Sequence, residues 1–284
     1  MKFSMYYFQL LTSLFLVLFS TNGWTEQRVI SAGSAVTELI LALNGQDQLV
    51  AVDVTSSNPQ TADLPQIGYH RQLSAEGLLA LNPSQLIGSQ EMGPESTLRQ
   101  LQTAGVNVNI INSDPTADGL LTRIDQVAHL IHRQREAEAL KQQVTLDLQQ
   151  LSEHKNLSSQ AKVLFLLLHE GRAANVAGAN TIPDTLITLA GATNPASPLI
   201  SSYKPLSMEA LIEMQPDVIL VSGRSFEQLG GADAVLNAVP ALRATPAGIN
   251  QRIITIDGHA IVGGVGLKTL QEALRLQTLL DVKG

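Results

Sequence analysis

The sequence contains no cysteine among its 284 residues. Disulfide frameworks, thiolate catalysis and cysteine-built metal sites are excluded, and a lipid anchor on a mature N-terminal cysteine is not expected. Charge is also sparse: Asp, Glu, Lys and Arg make up 15% of the chain, and the acids prevail to give a net charge of −7. A nucleic-acid partner needs a concentrated basic surface, which this balance does not supply. Enzyme signatures are missing as well. There is no G-x-S-x-G, H-E-x-x-H or Walker A sequence, and the six histidines fall into no zinc spacing. Long apolar runs are absent after residue 24, so no later segment reads as a membrane helix.

The one marked apolar run lies at the start. Lys2 is followed by Leu10, Leu11, Leu14, Phe15, Leu16, Val17, Leu18 and Phe19, and Ser20, Thr21, Asn22 and Gly23 close the run. This is the layout of a secretory signal peptide over residues 1–24, and an uncleaved anchor is the alternative. An exported chain with no lipid-bearing cysteine is expected free in the periplasm. Roughly 260 residues would remain, enough for one large domain or two smaller ones, and an apolar content of 44% supports real cores.

Strand and helix patterns alternate along the chain. Arg28-Val29-Ile30 opens as a strand, and Ser34 to Leu43 repeats apolar residues at helical spacing and ends at Asn44-Gly45. Strands follow at Leu49–Val52, Gln85–Gly88 and Val106–Ile111, with helices at Ala75–Leu81 and Glu95–Ala104. Such alternation indicates parallel sheets with crossover helices. The rhythm then breaks. From Asp118 to about Leu151 the apolar stripe is continuous, with no proline and no glycine beyond Gly119. A single helix of that length, capped by Asp118, would run on the order of 50 Å. It reads as a strut joining two lobes. The alternation resumes with strands at Val163–Leu168, Val218–Val221 and Ile253–Ile256, and helices begin at Pro183 and Leu267.

An internal repeat supports two lobes. Leu73-Ser74-Ala75-Glu76-Gly77-Leu78 leads to Pro83 and then Leu86-Ile87-Gly88-Ser89. Leu206-Ser207-Met208-Glu209-Ala210-Leu211 leads to Pro216 and then Ile219-Leu220-Val221-Ser222, at an offset of 133 residues throughout. Each serine is a natural N-cap, and each glutamate falls in a first turn where the helix dipole favours an acid. That accounts for both glutamates structurally; the functional reading places them at equivalent points on two lobes.

Three clusters stand at loop positions: Tyr69-His70-Arg71 before the first repeat unit, Tyr203-Lys204 before the second, and His169-Glu170-Gly171-Arg172 after the apolar strand at Val163. Loops at the carboxyl ends of parallel strands form the ligand crevice in open sheets. A tyrosinate or a histidine can ligate ferric heme iron. An arginine alongside favours the phenolate and can pair with a propionate. A tyrosine packed at the rim is the plain alternative. The run Gly263-Gly264-Val265-Gly266 lacks dinucleotide spacing and reads as a loop where backbone approaches a neighbour.

At these residues the chain resembles the periplasmic hemin-binding proteins of bacterial heme ABC importers, which share the helical-backbone fold with cobalamin and siderophore binders. The resemblance spans nearly the whole mature chain. Its most specific stretch is Gly68-Tyr69-His70-Arg71-Gln72-Leu73-Ser74-Ala75-Glu76-Gly77, supported by Val29-Ile30-Ser31-Ala32-Gly33, Thr37-Glu38, Ala177-Gly178 and Tyr203-Lys204-Pro205-Leu206-Ser207. It implies Tyr69 as the axial ligand of a transported heme and Arg71 as a propionate partner. His169 stands where some members hold a second heme. Glu76 and Glu209 correspond to the acids that dock on the permease dimer. Val265 departs from the family, whose glycine loop carries an aromatic there. His70 beside the ligand is a further heme contact and a competitor for iron. An outer-membrane heme receptor would act indirectly.

The expected architecture is therefore α/β, with two lobes of mainly parallel sheets (25–116 and 156–284), a single long joining helix (117–155) and the ligand cleft between the lobes. The expected role is heme capture without catalysis, with Tyr69, His70, Arg71, His169, Arg172, Tyr203 and Lys204 around the ligand. A cobalamin or ferric-siderophore binder is the alternative on the same fold, and a metal-dependent hydrolase using the cleft is the alternative of another class.

Overall fold

The computed structural model describes residues 27–56, 58–154, 161–169, 171 and 173–281. The expected signal segment, residues 1–24, and the site candidate Arg172 lie outside the described residues. Among the described residues no helix is long and apolar enough to cross a membrane.

The N-terminal sheet is wholly parallel, in the order β2-β1-β3-β4: Leu49–Val52, Val29–Ala32, Gln85–Ser89 and Asn107–Ile111. Helices α1 (Ser34–Ala42), α2 (Ala75–Leu79), α3 (Glu95–Thr103) and α4 (Ala117–Leu130) accompany it. Asn44, at φ 56°, lets the chain leave α1, and the Gly45 amide donates back to the Ile40 carbonyl at 2.8 Å. That is the C-terminal closure expected of Asn-Gly.

The long helical stretch is two helices, which corrects the single run expected from Asp118 to Leu151. After α4 the chain breaks at Ile131–Arg133 and restarts as α5 (Gln134–His154). His132 takes φ 55°, and the Arg133 amide reaches back to the Ala128 carbonyl at 2.8 Å. No proline or glycine marks the break; tertiary contacts hold it. Ile131 is buried, its carbonyl accepts from Gln48 Nε2 at 2.9 Å, and Arg133 pairs with Asp47 at 2.9 Å. The cap of α4 is Thr116, whose hydroxyl accepts from the Gly119 amide, in place of the expected Asp118. The joining helix is the 21-residue α5, whose Ala137, Val144 and Leu151 enter a core containing residues of both lobes.

The second sheet has the order β7-β6-β5-β8-β9. Strands β5 (Val163–Leu167), β8 (Val218–Ser222) and β9 (Ile253–Ile256) are parallel, and β6 (Asn175–Ala177) and β7 (Tyr203–Pro205) add an antiparallel edge. Its helices are α6 (Ile182–Leu189), α7 (Met208–Met214), α8 (Gly223–Leu229), α9 (Ala232–Ala238), α10 (Pro246–Ile249) and α11 (Leu267–Asp281). Strands β5 and β8 are buried nearly throughout, as central parallel strands must be.

The glycine loop is a clasp between the lobes. Arg123 on α4 is fully buried. It donates to the carbonyls of Asn112 at 2.8 Å and Asp114 at 2.9 Å, and across the lobes to that of Val265. Glu38 on α1 accepts from the amides of Leu267 at 2.7 Å and Lys268 at 3.2 Å, so an acid of one lobe caps a helix of the other. Burial pushes the Glu38 carboxyl up to about 7, against the two amides and the charges of Lys268 and Arg123. Val265 is itself buried, which explains why no aromatic points out of this loop.

A Cβ on Gly264, at φ 109°, would fall 2.8 Å from Arg123 Nη2, whereas one on Gly105, at φ 88°, would meet nothing within 4 Å. Gly105→Ala is expected to cost about 1 kcal/mol of backbone strain. Gly264→Ala adds loss of the guanidinium contacts and is expected to cost about 3 kcal/mol or more. Urea denaturation of the two variants beside the parent measures the difference; equal costs would mean that the clasp carries no stability.

Candidate functional site

Tyr69 leads a short turn, His70–Gln72, that links β2 to α2. Gly68 before it takes φ 80°, a backbone region that favours glycine. The turn is sewn to the loop after β3: the Gly93 amide donates to the His70 carbonyl at 3.0 Å, and the Leu73 amide to the Gly93 carbonyl at 2.7 Å. The Tyr69 side chain remains 40% exposed. Its ring sits 4.6 Å from that of His70, tilted by 57°.

His70 does not face the cleft. It is fully buried, its Nδ1 lies 2.7 Å from Asp53 Oδ2, and its Nε2 lies 3.5 Å from Glu91 Oε2. This corrects the expectation of a heme contact and a competitor for iron: the ring would have to abandon two carboxylates to reach a ligand. Asp53 is held in turn by hydroxyls, from Ser56 at 2.5 Å and Thr55 at 2.8 Å. Burial opposes a charged imidazole, but the hydrogen bond to Asp53 and the proximity of Glu91 outweigh it and raise the His70 pKa to about 9. Glu91 moves the other way. The His70 contact pulls it down, burial works against that, and Arg71 adds to the pull, leaving it at about 2.

Arg71 is exposed and donates from Nη2 to Glu91 Oε1 at 2.5 Å. Across the cleft, Tyr203 lies half-buried on β7, its ring edge-on to Phe165 at 6.5 Å between centroids. Burial, and then the negative charge of Glu91, push its phenol up to about 12. Lys204 beside it is exposed. His169 is exposed at the end of β5, where Ser225 on α8 donates to the Leu168 carbonyl at 3.1 Å. Arg71 thus pairs with Glu91 and Tyr69 packs beside His70, while Tyr203, Lys204 and His169 stand on the second lobe.

Asp53 and Glu91 escaped the reading of the sequence. Both follow parallel strands at their carboxyl ends, β2 and β3, and that position was the available signal. Among the described residues, no group of three or more His, Cys, Asp or Glu side chains could hold a bare metal ion.

The family described as periplasmic binding protein matches residues 29–260. Among solved structures, the periplasmic heme-binding protein HutB of Vibrio cholerae is 64% identical, with a TM-score of 0.86, over 90% of this chain and 99% of that one. The periplasmic heme-binding protein RhuT from Roseiflexus sp. RS-1 is 37% identical, with a TM-score of 0.85, over 90% of this chain and 98% of that one. A curated vitamin B12-binding protein of Vibrio campbellii is 27% identical over 222 residues, 78% of this chain and 79% of that protein.

The His70 pair has a signature in the ligand-free protein. The folded state keeps this proton to about 9, whereas an unfolded histidine releases it near 6.5. The folded state therefore binds more protons in that window, and stability falls as pH rises through it. His70→Gln should flatten this part of the profile. Denaturation midpoints measured across the window check it, and an unchanged slope in the variant would assign the dependence elsewhere.

Proposed function

We propose that this chain, which belongs to the periplasmic binding protein family, captures heme in the periplasm after export by its N-terminal segment and delivers it to an ABC-type importer of the inner membrane. The observation that carries this is the half-exposed Tyr69 phenol, set beside Arg71 at the mouth of a two-lobed cleft, in a chain 64% identical to a periplasmic heme-binding protein. Heme is cargo in this reading, and no reaction is catalysed. Iron(III) is a hard cation and a phenolate suits it. Tyr69 supplies that oxygen, Arg71 meets a propionate, and Tyr203 and Lys204 approach from the second lobe. Arg172 joins them on the strength of the resemblance alone. His169 offers a nitrogen for a second heme; a related protein, BhuT, has been solved in complex with two hemes. Heme would arrive by way of an outer-membrane receptor.

Titration with hemin tests the reading. A Soret band should develop on binding, and Tyr69→Ala should abolish the phenolate-to-iron charge-transfer band and weaken binding by at least about a hundredfold, beyond the usual loss for a residue that only supports a ligand. His169→Ala should remove any second, weaker equivalent. The vitamin B12-binding relatives favour a corrinoid as the second reading; tighter binding of cobalamin than of hemin in the same assay would establish it.

Delivery needs a docking face, and the repeat supplies two. The Ser74 hydroxyl accepts from the Gly77 amide and that of Ser207 from the Ala210 amide, so Glu76 and Glu209 project from equivalent first turns, both exposed. One turn on, Leu79 and Ile212 are exposed as well, at 38% and 36%. Each lobe thus offers an acid beside an apolar residue, and the two halves of a permease dimer are the matching partner. Glu76→Ala with Glu209→Ala should leave heme affinity intact. Each replacement should reduce uptake by a reconstituted importer about fivefold, the effect of an exposed ion pair worth about 1 kcal/mol. Normal uptake by the double variant would leave helix-dipole stabilisation as the only role of the two acids.

A further inference from the structure

The loop after β3 holds a carboxylate that an anionic ligand would not select for direct contact. Glu91 is 37% exposed: Oε1 lies 2.5 Å from Arg71 Nη2, and Oε2 lies 3.5 Å from His70 Nε2, an ion-pair approach without a hydrogen bond. The His70 ring continues through Nδ1 to Asp53 at 2.7 Å. Asp53 is closed off by the Ser56 hydroxyl at 2.5 Å, which itself accepts from Thr37 on α1 at 2.8 Å. Four side chains thus alternate in sign from the buried interior to the surface. Asp53 and His70 are fully buried, and Glu91 and Arg71 reach the cleft. The ring is hydrogen-bonded to Asp53 at Nδ1, and the Glu91 carboxylate faces Nε2 at 3.5 Å, so acids flank it on two sides.

A buried ion pair costs desolvation and is weak evidence for stability. A more specific task fits this arrangement. Arginine is long and rich in rotamers, and a half-exposed one is disordered unless something holds it. Glu91 takes one arm of the Arg71 guanidinium, and the rest of the planar fork stays available for a phenol or a carboxylate on the cleft side. Glu91 has the His70 ring 3.5 Å from its second oxygen, a charge contact longer than a hydrogen bond, and His70 is hydrogen-bonded to Asp53, which the hydroxyls of Thr55 and Ser56 hold in turn.

We propose that Asp53, His70 and Glu91 form an alternating-charge strut that fixes the Arg71 guanidinium for the incoming ligand, with Glu91 as its positioning residue. The proposal rests on heme being the ligand for its binding readout alone; the order of Arg71 in the empty protein tests the strut independently.

The experiment uses the mature protein and hemin, with Glu91→Gln, Arg71→Gln, the double variant and Glu91→Asp. Glu91→Gln should weaken hemin about five- to tenfold, the effect of ordering one flexible side chain anew. It should also shift the phenolate-to-iron charge-transfer band in the same direction as Arg71→Gln. Because the two residues act as one unit, the double variant should bind no more than about twofold worse than Arg71→Gln. Glu91→Asp, which keeps the charge, should recover part of the loss. In parallel, relaxation of the Arg71 Nε–H signal in the ligand-free protein should show an ordered side chain in the parent and a mobile one in Glu91→Gln. Tighter hemin binding by Glu91→Gln would mean that Glu91 competes with the ligand for Arg71, and multiplying effects would mean that the two act separately; either overturns the proposal, as does equal Arg71 mobility in parent and variant. A parent that gives no Soret band refutes the heme reading, and the relaxation result still decides the strut. His70→Gln can disturb the buried pair enough to unfold the lobe, so the partly exposed Glu91 carries the test.

Discussion

The buried guanidinium of Arg123 fixes how the two sheets stand to one another. Its donors bind carbonyls on the loop after β4 and, across the lobes, the carbonyl of Val265. A buried guanidinium left without acceptors would be prohibitively costly, so the glycine loop must come close. Gly264 lies against the guanidinium and Gly266 against Glu38 because neither has a side chain to keep them apart. Glu38 then caps α11, which packs back on α5 and α6. The lobes are thus tied by a helix on one side and by a polar clasp on the other, and hinge motion is restrained at both. A cleft with fixed walls spends little binding energy on reorganisation, and the two repeat-unit glutamates keep a constant separation.

Charge in the cleft is arranged along the same logic. Asp53, His70, Glu91 and Arg71 are two acids and two bases in alternation, so the site is locally neutral while each group remains ionised. In a low-dielectric setting a fully satisfied polar chain is rigid and a broken one is costly. His70 cannot therefore serve as both a structural cation and an iron ligand. Its ring is fully buried, with Asp53 at Nδ1 and Glu91 facing Nε2, so neither nitrogen is open to a ligand.

The fold was legible where periodicity governs. The strands from Val29 to Ile256 on the parallel ladders and the helices starting at Ser34, Glu95 and Leu267 fall within a residue or two of their expected positions, because burial on a period of 2 or 3.6 decides them. The break at His132 was not legible, since a left-handed histidine held by distant contacts leaves no local mark. The antiparallel edge strands β6 and β7 were missed for a related reason. At three residues each, they are shorter than any periodic signal and exist because Val176 pairs with Leu166 on one side and Lys204 on the other. In the candidate site, Tyr69 and Arg71 stand on the turn where the sequence placed them, and Tyr203 lies on the edge strand β7 in place of the expected loop. Asp53 and Glu91 could not be found from the sequence, because acids after strands are common and only the three-dimensional pairing sets these two apart. His70 was misread because sequence adjacency to Tyr69 says nothing about which way a turn points its neighbours.

Tyr69 and Tyr203 show how environment assigns roles to identical side chains. Tyr203 is held by Phe165 and shielded from water, and the negative charge of Glu91 acts on it from across the cleft; both influences keep its proton on. A phenol in that setting can donate a hydrogen bond or offer a ring face, but converting it to an anion would place two negative charges close together in a poorly solvated space. Tyr69 stands on the opposite wall, 40% exposed, on a turn whose next residue is a buried base and whose second is an exposed arginine. That base is paired with Asp53 and that arginine with Glu91. The two tyrosines thus differ in burial and in the charges beside them, and Tyr69 is the more exposed of the pair.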